Sequence, residues 1–203
     1  MLLTMYNKIE DDVYVKHFDL RLDIEKKLTV DDSGDRYIYQ IRYQETTYIL
    51  KGFKIQIEHL NPQDGTSIEN FERNLMQINE VFQEYHFARA ASLINPHIAK
   101  PLSLDLAVEL LEDRVSFSYL HIQIIFEHGG VELNKLRPIT IEQTYNLMRQ
   151  SANGLFLLHN IGIAHLDIKP DNMVYDEKKD LLKIIDMGSA FSSSNREKLA
   201  ATT

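Results

Sequence analysis

The apolar residues of this chain change their spacing at Glu127-His128-Gly129-Gly130. Before that break, β-branched and aromatic residues alternate with others. After it, they recur at intervals of three and four. Alternation suits strands with one buried face and the longer period suits helices, so the chain reads as a sheet-rich half followed by a helical half. Strands are expected over 28–30, 36–43 (with Tyr37, Tyr39, Ile41 and Tyr43 alternating) and 46–53. The polar turn Asp31-Asp32-Ser33-Gly34-Asp35 separates the first two, and the last two read as a hairpin. Asn61-Pro62-Gln63-Asp64-Gly65 is a loop. A helix follows over 67–93, with Phe71, Leu75, Ile78, Phe82 and Tyr85 as its apolar face, and Asn95-Pro96 ends it. Strands over 102–110 and 116–126 flank a turn at Glu112-Asp113-Arg114. In the second half, Ile141, Tyr145, Met148, Ala152, Leu155 and His159 mark an amphipathic helix over 140–160. Two short strands, 173–175 and 181–185, close the pattern around the charged turn at 176–180.

Charge and cysteine content narrow the function classes. Thirty acidic residues against 22 Lys plus Arg give a formal net charge of -8, which disfavours nonspecific binding to nucleic acid or anionic lipid. Cysteine is absent, so disulfides and thiolate metal sites are excluded, as suits a reducing intracellular setting, cytoplasmic with the nucleus left open. Residues 1–12 lack the basic leader and apolar run of a secretory signal. The richest apolar runs are too short to span a bilayer, and the chain reads as soluble, with no membrane partner.

Two segments carry chemistry: His165-Leu166-Asp167-Ile168-Lys169-Pro170-Asp171-Asn172, and Ile184-Ile185-Asp186-Met187-Gly188. The first segment resembles the catalytic loop of the eukaryotic-type protein kinase family, and the second resembles its Asp-Phe-Gly motif. The resemblance implies phosphoryl transfer, which needs a base near the attacking hydroxyl, cations on the phosphates and metal ligands at fixed separation. On that reading a loop supplies Asp167 as base candidate and Asn172 as an oxygen ligand for Mg²⁺, and a hairpin returns the chain so that Asp186 adds a second hard oxygen ligand.

The resemblance implies an α+β, protein-kinase-like fold, with a small β-rich N-lobe over 1–125, a hinge over 126–130 and a partial helical C-lobe over 131–203. It implies ATP and Mg²⁺ as cofactors and a protein substrate. Lys169, two residues after the catalytic aspartate, is typical of the serine/threonine class, where it steadies the transferred phosphate. Tyr48-Ile49-Leu50-Lys51 looks like the third-strand lysine motif, so Lys51 is expected on the α- and β-phosphates. Its partner would be a helix glutamate, Glu84, with Glu80 as the alternative. Phe126 corresponds to the gatekeeper, and the backbone around Glu127–Gly129, with Glu127 and His128, to the adenine-binding hinge. Asn172 and Asp186 would ligate the metal, and His165 would support the loop from beneath.

Departures from the family pattern matter as much. Asp31, Ser33 and Arg36 stand where the phosphate loop has glycines, and only Gly34 is nearby. Leu166 replaces the arginine that pairs with a phosphorylated activation loop, so such control is expected to be absent. Met187 replaces phenylalanine, and Ile49 replaces a smaller roof residue. Beyond Gly188 the chain has too few residues for the helices that complete the large lobe, so a partner or a following segment is expected to cover it. A kinase-like binding module without catalysis is the alternative reading. A small-molecule kinase of the aminoglycoside or choline type is a third.

Overall fold

The computed structural model describes residues 3–6, 15–17, 20–30, 35–56, 65–110, 117–137 and 140–192. The turn residues 31–34, the loop at 57–64 and the turn at 111–116 lie outside them. In chain order the strands are β1 (Leu3–Tyr6), β2 (Val15–His17), β3 (Leu20–Val30), β4 (Arg36–Tyr43), β5 (Thr46–Gln56), β6 (Pro101–Leu110) and β7 (Phe117–Glu127). The short strands β8 (Val131–Glu132), β9 (Ile163–Ala164), β10 (Met173–Asp176), β11 (Leu181–Ile184) and β12 (Phe191–Ser192) follow. The helices are α1 (Gly65–Ser92) and α2 (Ile141–Asn160). No helix of the described residues is long and apolar enough to cross a membrane.

The chain divides into two units. The first comprises Met1–Phe82 and Leu102–Glu127, and the second Gln83–Pro101 and His128–Thr203. Residues 83–101, expected with the sheet-rich half, fall in the second unit because their backbone and side chains bond there. Asn95 Nδ2 donates to Gly154 O on α2 at 2.8 Å. His97 Nδ1 lies 2.9 Å from Leu182 O, and Ile184 N donates to His97 O at 2.7 Å.

In the first unit, seven strands form one sheet in the order β1-β6-β7-β5-β4-β3-β2. Alternation divides its faces. One carries the core of Tyr37, Ile41, Leu50 and Ile125, packed by Ile24, Tyr39, Tyr43 and Tyr48. On that face Gly52 sits between Tyr37 and Gln123 in register. A Cβ there would lie 2.0 Å from the Tyr37 ring, so only glycine lets the ring cross to meet the amide of Gln123, which donates to the phenol oxygen at 2.8 Å. The opposite face carries the row Ile38–Lys51–Ile124 and the next row Gln40–Ile49–Phe126. Two register shifts interrupt β3, and Glu25 at the first accepts from Gln40 on β4 at 3.0 Å and Thr47 on β5 at 3.3 Å. The Gln40 bond is the main influence holding the Glu25 carboxyl below its ordinary range.

In the second unit, Thr140 caps α2: its hydroxyl accepts from Gln143 N, and the Gln143 side chain accepts from Thr140 N. The buried face of α2 is Leu147, Gln150, Gly154 and Leu158. Gln150 ties α2 to the β10–β11 hairpin, accepting from Leu182 N at 2.8 Å and donating to Asp180 O at 3.1 Å. Three strands pair in the order β11-β10-β8, and β12 pairs with β9.

The expected apolar faces of both helices need correction. Ile141, Tyr145 and Met148 of α2 are exposed, as are Phe71 and Leu75 of α1. The buried stripe of α1 is Val81, Glu84, Ala88 and Ala91.

Candidate active site

Strand β9 delivers the chain into a loop that its own polar side chains hold in shape. Leu166 takes φ 64° there, and Asp186 takes φ 62° and ψ 74°. Both lie in the left-handed region, which disfavours side chains larger than glycine's hydrogen, so the surrounding bonds must stabilise the turns. They do so through one connected set. Lys169 Nζ donates to Asp167 Oδ2 at 2.7 Å. Asn172 Nδ2 donates to the same oxygen at 2.8 Å and to Asp167 O at 2.9 Å.

His165 links the two chemistry-bearing segments. It is almost fully buried. Asp167 N donates to its Nδ1 at 3.3 Å, and its Nε2 lies 3.0 Å from Ile185 O. An Nδ1 that accepts is unprotonated, so the proton sits on Nε2 and is donated to the carbonyl preceding Asp186. Ile185 N returns a bond to Asn172 O at 2.9 Å. The loop and the segment leading to Asp186 are thereby fixed to each other at both ends.

Electrostatics follow from these contacts. The Lys169 hydrogen bond, with help from Asn172, holds the Asp167 carboxyl below its usual range, and the charge of Asp186 acts in the opposite sense. Lys169 is raised in turn, chiefly by Asp167. Asp167 is therefore a persistent anion at neutral pH, suited to orienting a hydroxyl and accepting its proton late in transfer.

The second unit thus brings together Asp167, Lys169, Asn172 and Asp186. Glu84 borders the same segment. A Cβ on Gly188 would stand 3.2 Å from Asp186 Oδ1 and 3.6 Å from Glu84 Oε2, so glycine leaves room for two carboxylates. Glu84 is buried, whereas Glu80, the other candidate, is exposed. The remaining candidates stand elsewhere in the chain. Lys51 lies on β5, and Phe126 and Glu127 end β7 in the first unit, while His128 begins the longer segment of the second. Gln150 and Asn95 brace the second unit without belonging to either recognisable segment. A polar residue inside an amphipathic helix was the signal for Gln150.

The donor set suits a hard divalent cation. Asn172 commits its Nδ2 to Asp167, which leaves Oδ1 as the oxygen it can offer a cation, and Asp186 carries carboxylate oxygen.

The family model described as protein kinase domain matches residues 71–203, more than half of the chain. The chain is 32% identical over 83 residues to protein kinase MCK1 of Saccharomyces cerevisiae, covering 39% of this chain and 22% of that protein. It is 51% identical over 84 residues to serine/threonine-protein kinase prp4 of Schizosaccharomyces pombe, covering 38% of this chain and 18% of that protein. To serine/threonine-protein kinase prpf4B of Dictyostelium discoideum it is 36% identical over 98 residues, covering 44% of this chain and 12% of that protein. The matched stretches span less than a quarter of the length of these three relatives.

Proposed function

The chain belongs to the protein kinase family, and from that premise we propose that it transfers phosphate from ATP to serine or threonine hydroxyls of a protein substrate in the cytoplasm. The observation that carries this reading is the bonded set Asp167–Lys169–Asn172, tied through His165 and Ile185 to Asp186. Two of the relatives named above are serine/threonine-protein kinases, which supports the substrate class.

In this mechanism Asp167 orients the acceptor hydroxyl and takes its proton as the new P–O bond forms. Lys169 leaves Asp167 in part to follow the charge on the transferring phosphoryl group. Asn172 Oδ1 and the Asp186 carboxylate would hold Mg²⁺, which would supply positive charge against the phosphates. Lys51 attends the α- and β-phosphates, with Glu84 as the acidic residue assigned to steady it. Phe126 borders the adenine, and the backbone at Glu127 and His128 bonds its edge.

The test is Asp167→Ala assayed with labelled ATP on a serine/threonine peptide library. Binding of Mg-ATP is expected to persist while transfer falls by about a thousandfold or more. Undiminished transfer would overturn the role of Asp167.

A second reading has its own support. Asp31, Ser33 and Arg36 occupy the positions where the family's glycines let backbone amides close on phosphates, which favours a binding module without catalysis. Wild-type protein that binds Mg-ATP yet labels no peptide would select that reading.

A further inference from the structure

We propose that Arg36 is a second phosphate-binding cation beside Lys51, the two being aligned by the ring of Phe53. This rests on the reading of Lys51 as a nucleotide-phosphate ligand.

The inference begins with register. On the β4–β5 pair, Arg36 faces Phe53 and Ile38 faces Lys51. Alternation puts all four side chains on one face of the sheet, with Arg36 and Lys51 as diagonal neighbours, close enough for two long side chains to share a ligand. Both cations converge on the same aromatic ring. The Arg36 Cζ lies 5.9 Å from the Phe53 centroid and the Lys51 Nζ 5.6 Å from it. That is cation–π range for each. Phe53 is itself buried in the sheet, so the ring is a fixed platform, whereas Arg36 is exposed and accessible to a ligand.

Two cations gathered over one ring can be bridged by a single polyanion. The guanidinium adds something an ammonium lacks: a planar fork of donors that matches phosphate oxygens two at a time. Arg36 also occupies a position where the family pattern has a glycine. A side chain there hinders backbone approach to a phosphate, but this side chain carries the charge that such an approach serves to supply. The ligand chemistry is that of a nucleoside polyphosphate, with affinity that depends on its phosphates rather than its base.

The experiment is calorimetric titration of wild type and Arg36→Gln with Mg-ATP and, separately, with adenosine. The variant is expected to bind Mg-ATP about tenfold or more weakly, the equivalent of about 1.4 kcal/mol, and adenosine as the wild type does. Equal affinity of the two proteins for Mg-ATP would overturn the proposal. So would a loss that is the same for adenosine, since that reports distortion of the sheet rather than a lost phosphate contact. Wild-type protein that binds no Mg-ATP would overturn the nucleotide reading itself, an outcome separate from an Arg36→Gln variant that binds normally.

Discussion

Asn172 donates its side-chain amide to Asp167 twice, at 2.8 Å to the carboxylate and at 2.9 Å to the backbone carbonyl. One buried side chain therefore sets both where the Asp167 anion sits and how the loop between them closes. Asn172→Ala removes both bonds and leaves the Asp167 carbonyl without this partner. We expect a loss of about 1–3 kcal/mol in urea unfolding, with phosphoryl transfer reduced by about a hundredfold or more. An unchanged urea midpoint would mean that the amide does not hold the loop.

Lys169 has a separable effect, because it acts on the Asp167 carboxylate first through a hydrogen bond and then through charge. Its hydrogen bond is the leading cause of the lowered Asp167 pKa. A depressed carboxyl stabilises the fold at pH values above its unfolded pKa, and that contribution is lost as pH falls through the folded value. In Lys169→Met, carbon-13 NMR should therefore find the Asp167 carboxyl titrating at higher pH than in wild type. Coincident titration midpoints would remove Lys169 as the cause.

Periodicity made the elements legible, and the core face of β4 with them, but not the buried sides of the helices. The expected strand over 36–43 and helix over 140–160 match β4 and α2 closely, because turn and cap signals such as Thr140 bound them. Only 28–30 of β3 was readable, since the register shifts around Glu25 and Leu28 interrupt its alternation. Strand β1 pairs in parallel with β6, a contact across most of the first unit that no local pattern announces. The loop at Asp167 was legible for a different reason: its residue types are dictated by chemistry at fixed spacing. Its support from beneath by His165 was legible with it, but the ties between α2, residues 95–97 and the hairpin were not, because Asn95, His97 and Gln150 act through backbone carbonyls and amides that any sequence supplies.

The two faces of α2 give this point an energetic form. Leu158 is fully buried, whereas Met148, on the stripe that periodicity favoured, is 67% exposed. The buried face includes Gly154 and Gln150, which hydrophobicity ranks low, so the more apolar stripe is the solvent-facing one. Leu158→Ala should cost about 2–5 kcal/mol in chemical denaturation. Met148→Gln should stay within about 0.5 kcal/mol of wild type. Comparable losses from both would mean that the Met148 face is covered in solution.

Tyr175 and Asp180 close the β10–β11 hairpin that leads toward Asp186, and their bond predicts behaviour at high pH. The phenol donates to Asp180 Oδ1 at 2.7 Å, and that bond, followed by desolvation and nearby acidic charge, pushes the Tyr175 pKa up to about 12 from 10.0. A phenol raised in the folded state stabilises it fully below the unfolded pKa, and the contribution disappears as pH rises through the folded value. The stability advantage of wild type over Tyr175→Phe should therefore be constant at neutral pH and decline between about pH 10 and 12. Ultraviolet phenolate absorbance, taken as the difference between wild type and Tyr175→Phe, isolates this residue from the other tyrosines. In Asp180→Asn the same difference should show ionisation at lower pH, because an amide accepts the hydrogen bond without the charge that opposes phenolate. A difference spectrum already complete near pH 10 in wild type would show that the Asp180 carboxylate does not hold the phenol.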